Sequence, residues 1–247
     1  MHGQRTAMIL AAGLGTRLKP LTDSMPKALV PYRGKPMLEH LILKLKDAGF
    51  GRIVINVHHF ASMIEDFVSS NSYFGLDIVF SDETDLLRDT GGGIRHAAPL
   101  LLHGHSDAPV LVHNVDIVSD IDLAAAYSES EAEMMASPET IACLAVTARE
   151  SRRYLLFDRD SCLRGWLDTS DGRTKGICSP GFDRRAFSGI HFISPRMIGL
   201  MQEWPERFSV IDFYLEQSSR YRIKGLQSAK GISVTDIGKI RTLSEVG

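Results

Sequence analysis

The chain has 247 residues, 44% of them hydrophobic and 23% charged, enough apolar material for one sizeable α/β core. Its 28 Lys and Arg against 30 Asp and Glu give a net charge of -2, which offers no broad basic surface to nucleic acid or to an anionic membrane. The three cysteines, Cys143, Cys162 and Cys178, are odd in number and too far apart for a CxxC pair, which argues against a disulfide framework and a structural zinc site and fits a reducing cytoplasm.

The start of the chain is short and polar and runs into the apolar residues 7–12 without a small-residue cleavage site, so no signal peptide is expected. No apolar run approaches the roughly 20 residues that cross a bilayer. Residues 7–12 predict a first buried strand. Met37, Leu38, Leu41, Ile42, Leu45 and Ala48 recur at helical spacing within 36–49, with Pro36 as starter and Gly49 as stop. Further strands are expected at 52–58, 76–81, 110–116 and 141–149, alternating with helices at 62–70, 91–102 and 122–136. That order is the mark of βαβ units building a parallel sheet.

After Arg149 short strand-like runs at 154–158, 163–168 and 186–193 are separated by polar loops, which predicts hairpins, with 172–183 as a mobile loop. Helices at 195–204 and 209–221, strands at 222–227 and 232–235, and a closing helix complete the pattern. Nothing repeats and no linker divides the chain, so residues 1–247 are expected to form one domain.

The most informative segment is LAAGLGTRLKPLT (10–22), followed by MPKALVP (25–31). A strand runs into Gly13 and Gly15, residues that let backbone N–H groups approach an anion closely and turn together into a nest. Arg17 adds a forked donor set for phosphate oxygens and Lys27 a point charge suited to a leaving pyrophosphate. The third glycine of a dinucleotide fingerprint is missing, since Thr16-Arg17-Leu18-Lys19-Pro20 follows, and no GK[ST] occurs as in a Walker loop.

These segments resemble the signature of the sugar-1-phosphate nucleotidyltransferases, almost completely over the first 30 residues or so and more loosely over the rest. The resemblance implies a Rossmann-like α/β fold: a mixed, mostly parallel sheet flanked by helices, of nucleotide-diphospho-sugar transferase type, with a small β-hairpin sugar-binding annex. Residues 1–140 would form the nucleotide-binding half and 141–247 the sugar-binding half. Ala11, Ala12, Gly13, Gly15 and Thr16 would then line the nucleotide, Arg17 would hold its phosphates, and Lys27 would stabilise the transferring phosphoryl group.

The family places an acid at the end of a central strand and another late in the chain, together holding Mg²⁺. Here these correspond to Asp116, in HNVD, and Asp236, in SVTDIGKI. An isolated Asp after a strand more often caps a helix, a role that suits Asp120 and Asp122 better than Asp116. Val115 stands where the family carries glycine, so its side chain must point away from the ligand. Gly91 and Gly92 of DTGGG resemble the backbone against which the nucleobase lies, Asn114 resembles a sugar contact, and Gly189 the glycine that packs under the sugar.

The family's Glu-Lys-Pro segment is absent, leaving Arg152, Arg153, Lys175 and Arg184 as candidates to supply its positive charge. The His58-His59 pair and the HGH sequence at 103–105 read as surface histidines, and Trp166, Trp204, Phe213 and Tyr214 as core. Short length and the DTGGGI segment look most like N-acetylmuramate-1-phosphate uridylyltransferases, then short mannose-1-phosphate guanylyltransferases, so UTP is the first expected triphosphate and GTP the second, with a sugar 1-phosphate as acceptor. No room is expected for the further β-helix domain of longer relatives. Cytidylyl transfer to an alcohol phosphate such as phosphocholine, and a catalytically silent nucleotide-binding subunit, are the competing readings.

Overall fold

The computed structural model of the chain describes residues 4–104, 107–226, 229 and 231–239. The first apolar run is strand β1 (Arg5–Leu10). Short 3₁₀ turns at Thr16–Leu18, Leu21–Asp23 and Lys27–Leu29 carry the chain to a two-residue hairpin, β2 (Pro31–Tyr32) and β3 (Lys35–Pro36). There follow α1 (Met37–Asp47), β4 (Phe50–Val57), α2 (Ala61–Ser70), β5 (Asp77–Asp82), α3 (Asp89–His96), α4 (Ala98–Leu101), β6 (Val110–Asn114), β7 (Ile117–Ser119) and α5 (Leu123–Ala136). The second half adds β8 (Thr140–Thr147), β9 (Arg153–Phe157), β10 (Leu163–Asp168), β11 (Thr174–Gly176), β12 (Asp183–Ile193), α6 (Pro195–Leu200), α7 (Val210–Gln217), β13 (Arg222–Gly225) and β14 (Val234–Asp236).

The central sheet runs β5-β4-β1-β6-β12-β8-β13. Among these strands β12 alone runs against its neighbours; the pairs β4–β5, β1–β4, β1–β6 and β8–β13 are parallel. Both faces are covered, as a mostly parallel sheet requires. Ala7 and Ile9 of β1, Ile53 and Ile55 of β4 and Leu111 of β6 face one apolar layer with α1, α2 and α5. Met8, Val54, Val110 and Val112 face the other, with α3, α4, α6 and α7. The alternation follows from successive side chains pointing to opposite faces of a strand.

Three expectations are corrected. The helix expected over 91–102 begins at Asp89 and breaks into α3 and α4, with Pro99 in the first turn of the second. The loop expected over 172–183 contains β11, which pairs with β10, so the annex is a three-stranded antiparallel sheet, β11-β10-β9, continued by Asp183–Arg185 of β12. The strand expected over 222–227 ends at Gly225; Gln227 and the closing helix lie outside the described residues. Among the described residues no helix is long and apolar enough to cross a membrane.

Candidate active site

The glycine bend lies where strands end, at the carboxyl edge of the parallel sheet, the usual ligand side of such folds. Ala11 and Ala12 donate their N–H groups to Asn56 Oδ1 at 2.6 and 3.2 Å. Asn56, near the end of β4, in turn donates to Glu83 Oε1 at 2.7 Å, and Glu83 Oε2 accepts from the N–H of Arg88 at 3.2 Å. The first two amides of the bend are thus satisfied inside the protein, and the part that faces outward begins at Gly13. Gly15 has φ 65°, and a Cβ there would stand 2.8 Å from Thr22 Cγ2 and 3.0 Å from Lys27 Cβ, so both backbone and space require glycine. Thr22 donates to the Gly15 carbonyl at 2.9 Å and closes the bend, and Thr16 opens the turn that projects Arg17.

Two acids far apart in sequence meet at this bend. Asp116 lies two residues past the end of β6; β7 then pairs with β14, setting Asp236 opposite Ile117, and the N–H of Ile237 donates to the Asp116 carbonyl at 2.9 Å. Lys27 Nζ stands 2.8 Å from Asp116 Oδ2, and Arg17 reaches Asp236 Oδ2 at 3.2 Å and Asp116 Oδ2 at 3.8 Å. Lys239 Nζ adds a third cation 3.8 Å from Asp236 Oδ2, so three cations surround two carboxylates at one point. Val115 is buried in the core beneath them and points away from the cleft, as the sequence required. Asp122 caps α5 by accepting from Ala125 N–H at 2.9 Å, and Asp120 accepts from Ser233 N–H, so both serve the backbone.

A hard divalent cation fits this donor set. A Cβ on Gly238 would lie 2.3 Å from Asp116 Oδ2 and 3.0 Å from Asp236 Oδ1, so the missing side chain leaves the space into which both carboxylates converge. Among the described residues no group of three or more His, Cys, Asp or Glu could hold a metal. Two carboxylates with phosphate and water oxygens completing the shell is the arrangement Mg²⁺ accepts, whereas Zn²⁺ sites want more protein ligands.

The cleft beside these residues encloses about 300 Å³, with Ala12, Gly13, Arg17, Lys27, Asn114 and Asp116 among its walls. Gly189 meets Asn114 at this wall: with φ 76° and an added Cβ only 2.7 Å from Asn114 Nδ2, the position admits no side chain. Gly91 and Gly92 are placed otherwise than expected. Both N–H groups donate to the Phe208 carbonyl, at 2.9 and 3.2 Å, and added Cβ atoms would strike the Phe208 ring at 2.3 Å and the Glu206 carbonyl oxygen at 2.2 Å. These glycines admit the 206–208 segment; the residues of this stretch that face the cleft are Asp89 and Thr90.

The sequence reading did not single out Asn56, Glu83 or Arg207, all of which line the cleft. Burial pushes the Glu83 carboxyl up, partly offset by its bonds from Asn56 and Arg88. A signal existed for two of them: Asn56 is a polar residue near the end of an apolar run, and Glu83 follows β5 as Asp116 follows β6. His58 meets the Glu83 carbonyl at 2.6 Å and His59 lies beside Phe60, so neither joins the acids. His105 lies outside the described residues.

Chemically, an exposed glycine bend, a forked guanidinium, an ammonium and two converging carboxylates can hold a polyphosphate together with its counter-ion. The nucleotidyl transferase family pattern matches residues 6–164, more than half of the chain. An N-acetylmuramate alpha-1-phosphate uridylyltransferase from Neisseria meningitidis serogroup B is 45% identical over 121 residues, 49% of this chain and 51% of that protein. A protein of the same name from Caulobacter vibrioides is 45% identical over 116 residues, 46% of each. The matches thus span about half the length of these curated relatives. HddC from Yersinia pseudotuberculosis, crystallised with GMP-PN, superposes with a TM-score of 0.72 over 98% of both chains at 23% identity, a likeness of fold. Family pattern and fold agree: the chain belongs to the nucleotidyl transferase family.

Proposed function

We propose that this chain is a sugar-1-phosphate nucleotidyltransferase that moves a uridylyl group from UTP to N-acetylmuramate 1-phosphate and releases pyrophosphate. The observation that carries the activity is the meeting of Arg17, Lys27, Asp116 and Asp236 at the glycine bend. The uridylyl and muramate assignments rest on the two relatives of that name at 45% identity.

In this reading the outward amides from Gly13 onward and the Arg17 fork bind the triphosphate. A phosphate oxygen of the sugar 1-phosphate attacks the α-phosphorus; the bond from the α-phosphorus to its bridging oxygen breaks, and pyrophosphate leaves with that electron pair. Lys27, poised 2.8 Å from Asp116, turns its ammonium to the transferring phosphoryl oxygens as charge builds there. Mg²⁺, held by Asp116 and Asp236, supplies further neutralisation of the phosphates when bound. Asn114 and Gly189 bound the acceptor's side. Asn56 and Glu83 hold the bend in shape through the Ala11 and Ala12 amides and act as positioning residues.

Pyrophosphate release tests the reading, with UTP, GTP, CTP and TTP each paired with N-acetylmuramate 1-phosphate, mannose 1-phosphate and phosphocholine in the presence of Mg²⁺. UTP with the muramate acceptor is expected to be fastest. Faster turnover of GTP with mannose 1-phosphate replaces the substrate assignment, and silence of every pair removes the activity itself.

A further inference from the structure

Beyond the cleft lies a second hollow of about 410 Å³, against the annex, whose walls include Arg153, Arg173, Lys175, Trp166, Phe187 and Asp212. It adjoins the first. Arg207 lines the cleft and Ser209, two residues on, lines the hollow; Phe187 lines the hollow and stands two residues along β12 from Gly189, which packs on Asn114 of the cleft wall. β12 is bulged between Phe187 and His191, so this step spans at most roughly 7 Å, within the reach of one sugar ring and a substituent.

Three of these side chains are cationic and one, Asp212, is anionic, so the hollow carries excess positive charge in a protein of net charge -2. Each cation has an acidic neighbour, but every such contact is exposed or incomplete. Lys175 meets Asp212 at 2.5 Å, the two side chains being 54% and 47% exposed. Arg173 meets its near neighbour Asp171, at 2.7 Å. Arg153 lies 3.5 Å from Asp168 Oδ2, an oxygen with no hydrogen bond, while Oδ1 of that carboxylate takes the bonds from Arg152 and Ser170. Exposed ion pairs hold weakly and exchange readily for a better-oriented anion. Lys175 also stands 5.6 Å over the Trp166 ring, which keeps the ammonium near an apolar platform on which a sugar ring can rest.

We propose that this hollow receives a carboxylate borne by the acceptor sugar, gripped by Lys175 and Arg173 above Trp166, so that the annex selects an acidic sugar over its neutral counterpart. The inference rests on the proposed transfer to a sugar 1-phosphate and adds the part of the acceptor remote from the reacting phosphate. That phosphate belongs beside Lys27 and Asp116; a second anion on the same ring, pointing past Asn114 and Gly189, arrives at the hollow. A planar carboxylate suits the guanidinium fork of Arg173.

The test compares N-acetylmuramate 1-phosphate with N-acetylglucosamine 1-phosphate, which lacks the carboxylate-bearing ether. The quantity read is the ratio of their kcat/KM values with UTP, in the wild type, in the Lys175→Gln/Arg173→Gln double variant and in Lys175→Arg. The ratio is expected to favour the acidic acceptor in the wild type, to fall about tenfold or more in the double variant, and to stay high in Lys175→Arg, with the change lying in KM. A ratio that stays within about twofold in the double variant overturns the proposal, because tenfold is what a single charge-assisted contact is worth. Absence of any turnover falls on the proposed activity instead. The hollow is then read by equilibrium binding of free N-acetylmuramic acid against N-acetylglucosamine: preference for the acid, lost in the double variant, supports the proposal, and equal binding overturns it.

Discussion

The cleft and the annex hold ion pairs of the same chemical kinds in opposite circumstances. Lys27 and Asp116 are 13% and 6% exposed, come from segments 89 positions apart, and are joined by Arg17 and Asp236 into one cluster. Lys175 and Asp212 are about half exposed, and Arg173 pairs with a residue two positions away. Withdrawal from water ties Lys27 to Asp116, since a partner removed there leaves a charge that solvent cannot fully compensate, whereas Arg17 and Asp236, 55% and 29% exposed, join that pair by convergence. Solvation makes the second set exchangeable. Residue type alone does not distinguish a convergent cluster from a surface; the meeting of side chains from distant segments does.

The contrast is broken most sharply at the acids. Asp116→Asn and Asp236→Asn are each expected to lower pyrophosphate release by about a thousandfold or more with the fold kept, the unfolding temperature falling in Asp116→Asn, which leaves the Lys27 ammonium short of its partner, and changing little in Asp236→Asn. Wild-type rates in either variant remove the metal assignment. Gly238→Ala asks whether convergence rather than composition matters: its Cβ, 2.3 Å from Asp116 Oδ2, should displace the carboxylate and cost roughly a hundredfold in turnover with every charge of the cluster still present. Turnover within about twofold of wild type would show that the acids tolerate separation.

Between the two regions runs β12, whose start belongs to the annex and whose end carries the buried His191. Burial, with a smaller contribution from the charge of His113, pushes the His191 pKa down to about 3, and its Nδ1 bonds to the Tyr214 hydroxyl. The unfolded chain therefore takes up this proton near pH 6.5 and the folded chain only near 3, so stability present above pH 6.5 is lost as pH falls through that window. By pH 5 the loss from this residue should reach roughly 2 kcal/mol, and His191→Gln should flatten the slope of unfolding free energy against pH. Parallel slopes in the two proteins count against a neutral His191. The smallest effect belongs to the annex surface, where Lys175→Gln should move unfolding free energy by less than about 0.5 kcal/mol; a larger change in the denaturant midpoint would put the annex pairs on a par with the cleft.

Much of the central sheet was legible in the sequence because the middles of β1, β4 and β6 are buried on both faces and read as short apolar runs. β11 was not, since Thr174–Gly176 is polar and exposed and owes its strand to pairing with β10. In the candidate site Asp116 stands out at a strand end, whereas Asp236 is visible only through family resemblance: a strand is expected at 232–235, but nothing local tells that it pairs with β7 beside Asp116. The Asn56–Glu83 relay was missed because a single buried polar pair has no periodicity. Gly91 and Gly92 were read as lining a ligand because glycine signals close approach without saying to what, and here the approaching group is the protein's own Phe208.

The ribbon of β7 and β14 gives this architecture an order of assembly. Arg17 and Asp236 are 219 positions apart, and all seven strands of the central sheet precede the ribbon's second strand in the chain. A nascent chain that has left the ribosome only as far as β13 already has every strand of that sheet, yet it has one carboxylate where two must converge. Under the proposed function, competence then arrives in a single late step, so that activity reports synthesis through Asp236 more stringently than folding of the sheet does.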